Sequence, residues 1–156
     1  IDLLINILQN DSIEEVFCYP SILFDKRVKK LGDHDTIMSL FKTKKGKIAM
    51  INNSRRSIYG YDQRIEVFGS KGMIMTKNIN ENSTLYYSKN NTAAEKPHLN
   101  FFLERYEKSF IDQLDNFIEN CLKNRKASVT FEDCRKSLEI CEKLYISAKN
   151  GKSVKL

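Results

Sequence analysis

The order in which hydrophobic patterns change along this chain constrains its fold more than any single residue does. Short apolar stretches broken by turn residues run from Ile13 to Ser88, and two long segments with helical periodicity follow them. Parallel sheets need a crossover between successive strands. Strands grouped first and helices grouped afterwards therefore imply an antiparallel sheet with helices on one face. The expected class is α+β with a mostly antiparallel, open sheet. At 156 residues, 41% of them hydrophobic and 29% charged, the chain suits a single domain, 1–156, with a core of its own.

The pattern divides as follows. Ile1, Leu4, Ile5 and Leu8 repeat at helical spacing, with no capping residue ahead of them, so the chain is expected to be a fragment of a longer one. Ile13 to Phe24 is strand-like with a break at Pro20, and a basic loop follows. Thr36–Thr43 and Lys47–Asn52 flank Lys44-Lys45-Gly46 as a hairpin, and Arg64–Phe68 and Met73–Lys77 flank Gly69-Ser70-Lys71-Gly72 in the same way. Thr84–Ser88 is a further short strand and Lys89–Pro97 a loop. Leu99–Asn124 is a long amphipathic helix. Thr130 can cap a second helix with Asp133 completing the box, and Cys134, Leu138, Cys141, Tyr145 and Ala148 define its expected buried stripe. Gly151 ends it, and Ser153–Leu156 can add a last strand.

Several function classes fall away. No apolar run approaches the roughly 18 residues a membrane helix needs, and nothing resembles a signal peptide, so a cytoplasmic protein without a membrane partner is expected. The Asn-x-Ser/Thr sites at Asn10, Asn52, Asn82 and Asn90 then reflect an Asn-rich composition. The net charge of +6 is spread over loops such as the lysine-rich tip around Gly46, which does not read as a nucleic-acid surface. Cys18, Cys121, Cys134 and Cys141 lack metal-ligand spacing and are expected to be core thiols; His34 and His98 share no helical spacing and read as loop residues rather than metal ligands. No glycine-rich pyrophosphate loop and no Ser-His-Asp arrangement is present, so the spacing alone describes no self-sufficient enzyme.

One run carries most of the functional content. From Asn53 to Gly72, polar and tyrosyl groups lead into an alternating strand, with Ile65 and Val67 on one face and Arg64 and Glu66 on the other. Asn53, Arg55, Tyr59 and Tyr61 supply donors and acceptors suited to a polyhydroxylated ligand. Ile48, Met50, Ile65, Val67 and Phe68 make the second sheet face too apolar for solvent, so a partner subunit or domain is expected to cover it.

Asp33-His34-Asp35-Thr36, Asn53-Ser54-Arg55-Arg56, Tyr59-Gly60-Tyr61-Asp62-Gln63-Arg64, Glu66-Val67-Phe68-Gly69-Ser70-Lys71-Gly72 and Phe101-Phe102-Leu103-Glu104-Arg105-Tyr106 together resemble the C-terminal domain of the inositol 2-dehydrogenases, members of the Gfo/Idh/MocA oxidoreductases. The likeness spans nearly the whole chain. It implies a substrate-binding and oligomerisation domain, tetrameric in the assembled enzyme, with the NAD-binding Rossmann domain absent from this chain. It also implies oxidation of a ring hydroxyl of myo-inositol or a related polyol or sugar, with NAD or NADP as cofactor of the complete enzyme and none bound here.

Ile1-Asp2 resembles the end of a family His-Asp-Ile-Asp segment, which implies that the catalytic Lys, Asp and His lie upstream. By motif position, Asp2 and Tyr59 correspond to groups that hydrogen-bond the polyol, and Tyr61 exchanges with Tyr59 if the register slips by one strand period. Read from the residues alone, Asp2 is equally an exposed acid of a first helical turn, and Tyr59 is more readily a core tyrosine with a satisfied hydroxyl. Arg105-Tyr106 carries no assigned catalytic part. The other function class left open is a non-catalytic binding or assembly module that keeps only the sheet interface.

Overall fold

Strand β1 (Ile13–Ser21) organises the first of two units into which the chain divides in a computed structural model that describes Ile1–Leu156. The first unit is Ile1–Arg56 with Ala127–Leu156, and the second is Ser57–Lys126. β1 pairs antiparallel with β2 (Thr36–Thr43) on one side and β8 (Val154–Lys155) on the other. Beyond β2 lies β3 (Ile48–Ser54), which gives the order β3-β2-β1-β8.

Directly opposed residues of an antiparallel pair share a face. The rows Val16/Phe41/Ala49 and Cys18/Ser39/Ile51 therefore point one way, and Phe17/Leu40/Met50 and Tyr19/Met38/Asn52 the other. Helices α1 (Asp2–Leu8) and α3 (Phe131–Asn150) cover the first face, where Leu8, Ile13, Val16, Phe41 and Ile140 form the core. Val16 and Phe41 are 1% and 3% exposed, and each contributes on the order of 1.5–3 kcal/mol by leaving water.

β1 runs through Pro20 instead of breaking there. β8 reaches only Glu15 and Val16, so near Pro20 that side of β1 is a sheet edge and proline's missing N–H costs no ladder bond. The lysine-rich hairpin tip forms as expected, tied down by buried Asp11. Its carboxylate accepts from the Thr43 hydroxyl at 2.9 Å and the Lys45 amide at 3.1 Å, with Lys47 Nζ at 3.4 Å. Asp35 holds the basic loop in the same manner, accepting from the amides of Leu23, Phe24 and Asp25 and from the Thr36 hydroxyl.

The expected capping box starts α3: Thr130 Oγ1 accepts from the Asp133 amide, and the Asp133 carboxylate accepts from the Thr130 amide. Gly151 ends the helix at φ 63°, the left-handed conformation glycine adopts without strain. The buried stripe differs from the one expected. Ser137, Ile140 and Ser147 face the sheet with half-buried Leu144, whereas Cys134, Leu138, Cys141 and Tyr145 are exposed; Ala148 is half-buried.

Two small residues let the helix approach the sheet, and Ser147 also bonds into it. Its hydroxyl accepts from the Cys18 amide at 3.0 Å and donates to the Lys152 carbonyl at 2.7 Å, just before the start of β8. Of the four cysteines only Cys18 is a core thiol, and burial pushes its pKa up. Cys121, Cys134 and Cys141 are exposed; on α3, periodicity cannot tell which of two parallel stripes meets the sheet.

The second unit holds hairpin β4 (Glu66–Gly69) and β5 (Gly72–Met75) around Ser70-Lys71, hairpin β6 (Leu85–Ser88) and β7 (Asn91–Glu95), and helix α2 (Phe102–Leu122). Ile65 and Val67 are half-buried and Arg64 and Glu66 exposed, as the alternation requires. β7 replaces part of the expected loop, since Asn-Thr-Ala-Ala-Glu has no strand-like pattern and is ordered by pairing with β6. Ile65, Val67 and Phe68 do not share a sheet with Ile48 and Met50; they belong to this unit's own hairpin. None of the helices is long and apolar enough to cross a membrane.

Candidate functional site

The turn Tyr59-Gly60-Tyr61 is an irregular segment between β3 and β4, not a strand as the motif comparison assumed for Tyr59. Backbone bonds hold it. The Tyr61 amide donates to the Leu99 carbonyl at 2.7 Å and the His98 amide to the Tyr59 carbonyl at 3.1 Å. On its other side the same 97–99 stretch meets Ile79–Glu81 through Leu99 N–H to Ile79 O, Glu81 N–H to Pro97 O and an Asn80–His98 bridge. Gly60 is required at the crossing: its φ is 114°, and a Cβ there would sit 2.5 Å from the His98 carbonyl oxygen.

The two tyrosines flanking Gly60 enter different surroundings. Tyr59 is 51% exposed, which removes the core reading, and its hydroxyl donates to Asp62 Oδ2 at 2.7 Å. The same carboxylate accepts from Arg64 Nε and NH2 at 2.8 and 2.9 Å and from Asn78 Nδ2 at 2.6 Å. Arg64 first, then Asn78 and Tyr59, stabilise the ionised form of Asp62 against partial burial and lower its pKa to about 2. Asp62 is therefore a fixed anionic acceptor at neutral pH, unsuited to proton transfer.

Around this hub opens a polar groove of about 700 Å³ that includes Tyr59, Asp62, Arg64, Asn80 and His98. Such dense side-chain donors and acceptors suit a hydroxyl-rich ligand.

Tyr61 turns instead toward α2. Its ring lies edge-on to Tyr106 with centroids 5.9 Å apart, and the Tyr106 hydroxyl donates to Gln63 Oε1. Burial pushes the Tyr61 phenol pKa up, with its hydrogen bond to Tyr106 adding to the rise, so Tyr61 is a neutral hydrogen-bonding group. Arg105 Nε is buried beside this cluster with no protein partner. Sequence reasoning gave Arg105-Tyr106 no part, although the Gln63 and Tyr106 spacing fixes how Tyr61 is held.

Asp2 belongs to the first unit. It is exposed in the first turn of α1, and its carboxylate accepts from the Ser137 hydroxyl of α3. One of its oxygens thus ties the two helices together. Asn53 is exposed on β3, and Arg55 pairs with Asp33 and the His34 carbonyl, so neither joins the tyrosines' hydrogen-bond network.

A pyrophosphate cradle needs a strand, a glycine turn and a helix N-terminus in a βαβ unit. Every strand pair here is antiparallel, so these residues build no such cradle, and no step is assigned to NAD.

The first unit is an antiparallel α+β fold with helices on one sheet face. The whole chain, residues 1–156, matches the family described as the oxidoreductase family, C-terminal alpha/beta domain, and it belongs to that Gfo/Idh/MocA family. Myo-inositol 2-dehydrogenase of Thermotoga maritima is 38% identical over 149 residues, 96% of this chain and 44% of that protein. The crystal structure of a probable dehydrogenase from the same organism superposes with a TM-score of 0.94 at 38% identity, over 99% of this chain and 46% of the other. That of a myo-inositol dehydrogenase from Corynebacterium glutamicum does so with a TM-score of 0.93 at 33% identity, over 99% and 46%. The chain spans less than half the length of these relatives.

Proposed function

We propose that this chain is the substrate-binding and oligomerisation part of an NAD-dependent inositol 2-dehydrogenase, which oxidises a ring hydroxyl of myo-inositol or a related polyol in the cytoplasm. The observation that carries this reading is the Tyr59-Gly60-Tyr61 turn: two phenols, each held by a second side chain, stand in the run whose residues resemble those of the inositol dehydrogenases. Tyr59 and Tyr61 bind and orient the polyol. Hydride acceptance and removal of the hydroxyl proton belong to groups outside these residues.

The outer face of the first unit's sheet is the oligomer surface. It carries Phe17, Tyr19, Met38, Leu40, Ile48 and Met50, with Ile48 84% and Met50 60% exposed, an apolar area that water does not stabilise. Met50→Asp should therefore dissociate the assembly in sedimentation velocity, and a monomeric parent protein would rule out this role.

The functional test is NADH formation by the full-length gene product with myo- and scyllo-inositol. Turnover of either, weakened by Tyr59→Phe or Tyr61→Phe, is expected. Failure to oxidise any cyclic polyol would overturn the reading in favour of a non-catalytic assembly module.

A further inference from the structure

The groove contains a histidine whose protonation pattern is set by its neighbours. Asn80 Nδ2 donates to Glu95 Oε2 at 2.7 Å, and since a carboxylate only accepts, this bond fixes which way the Asn80 amide points. Its Oδ1 therefore faces His98 Nδ1, 2.7 Å away. An amide oxygen also only accepts, so Nδ1 carries the proton, and in the neutral ring the lone pair lies on Nε2. No protein donor reaches Nε2.

The backbone fixes this ring relative to Tyr59. The His98 amide bonds the Tyr59 carbonyl, Gly60 lies against the His98 carbonyl where no Cβ fits, and the Tyr59 and His98 rings meet edge-on at 5.7 Å and 81°. Tyr59 uses its hydroxyl proton in the hydrogen bond to Asp62, so its oxygen also offers only lone pairs to the groove. Two acceptors on adjoining rings line one polar groove, a pattern that suits neighbouring hydroxyl donors.

We propose that His98 Nε2 accepts a hydrogen bond from a ring hydroxyl of a cyclic polyol bound in this groove beside Tyr59, and that Asn80 and Glu95 are positioning residues that set the imidazole tautomer. The assignment rests on the polyol reading above and adds a binding residue that the shared motifs do not contain.

Two measurements test it. In long-range proton–nitrogen spectra of this chain, His98 should show a protonated Nδ1, and its Nε2 resonance should move as myo-inositol is added. Asn80→Ala should mix the tautomers and shrink that movement. An unprotonated Nδ1, or an Nε2 resonance unmoved at the solubility limit of myo-inositol, overturns the proposal.

In the full-length enzyme, His98→Ala should raise KM for myo-inositol about tenfold and leave kcat within about twofold, as loss of one hydrogen bond made equally in ground and transition states requires. Asn80→Ala should raise it less, and the double variant no further than His98→Ala alone. An unchanged KM in His98→Ala overturns the assignment. A wild-type enzyme that turns over no polyol removes the functional reading instead, and the spectra still decide the role of His98.

Discussion

The two units are held together by different physics. In Ile1–Arg56 with Ala127–Leu156, β1, β2 and α3 enclose Val16, Phe41 and Ile140, and the polar groups that enter this core, such as Ser147, bond to the backbone. Between Ser57 and Lys126 no residue is fully buried. Order there comes from the Asp62 hub, the Asn80–His98 pair and the close approach at Gly60. The candidate site thus lies in the part that apolar burial stabilises least.

The largest expected effect sharpens this contrast. Phe41→Ala should cost about 3–5 kcal/mol of the first unit's stability in urea unfolding, through lost transfer energy and the cavity left behind. A shift much below this would mean that the core is looser than its burial implies. Gly60→Ala comes next. Its Cβ would press on the His98 carbonyl at an unfavourable φ, a cost of about 1–3 kcal/mol that should fall on the second unit alone. Polyol KM should rise while the first unit's unfolding midpoint stays in place, and a joint shift of both would break the separation.

Acid should act on both units in the same direction. Burial opposes the charge of Asp35, but the amides of Leu23, Asp25 and Phe24 and the Thr36 hydroxyl outweigh it and hold the pKa well below 3.8. Asp62 is held at about 2. A carboxylate whose folded pKa is depressed stabilises the fold fully above its unfolded value and loses that contribution as pH falls toward the folded one. Circular dichroism should therefore show stability falling below the ordinary carboxylate value of 3.8. Asp35→Asn should flatten that limb for the first unit and Asp62→Asn for the second; an unchanged slope in Asp35→Asn would show that other carboxylates set it. Smallest is Tyr59→Phe, which removes one hydrogen bond to Asp62 and should cost about 0.5–1.5 kcal/mol in unfolding measurements.

Much of the architecture was legible because it depends on neighbours in sequence. The Thr130–Asp133 box and Gly151 marked both ends of α3, and the turns at Gly46 and Ser70-Lys71 marked two hairpins. What was misread depends on distant partners. Cys134, Leu138, Cys141 and Tyr145 repeat as regularly as the true inner stripe, and only the sheet selects Ser137, Ile140 and Ser147. β7 is a strand because β6 lies beside it.

At the candidate site, Tyr59 and Tyr61 stood out by motif. Their supports did not: Asn78 reaches Asp62 from 16 positions away and Tyr106 reaches Gln63 from 43, with no periodicity to announce either. His98, read as a plain loop residue, is oriented by Asn80 from 18 positions away.

The first unit is written in two pieces on either side of the second, and this has a consequence for synthesis. While the polypeptide emerges from the ribosome, β1, β2 and β3 are made before the second unit, yet the helix that seals them and the strand that pairs with Glu15 and Val16 are made only after it. Until then the apolar row of Val16 and Phe41 has no α3 over it, and closing it must span most of the chain, which slows folding. The nascent sheet is thus a natural client for chaperones, and a ribosome stalled just after Lys126 should hold a protease-sensitive Ile1–Arg56.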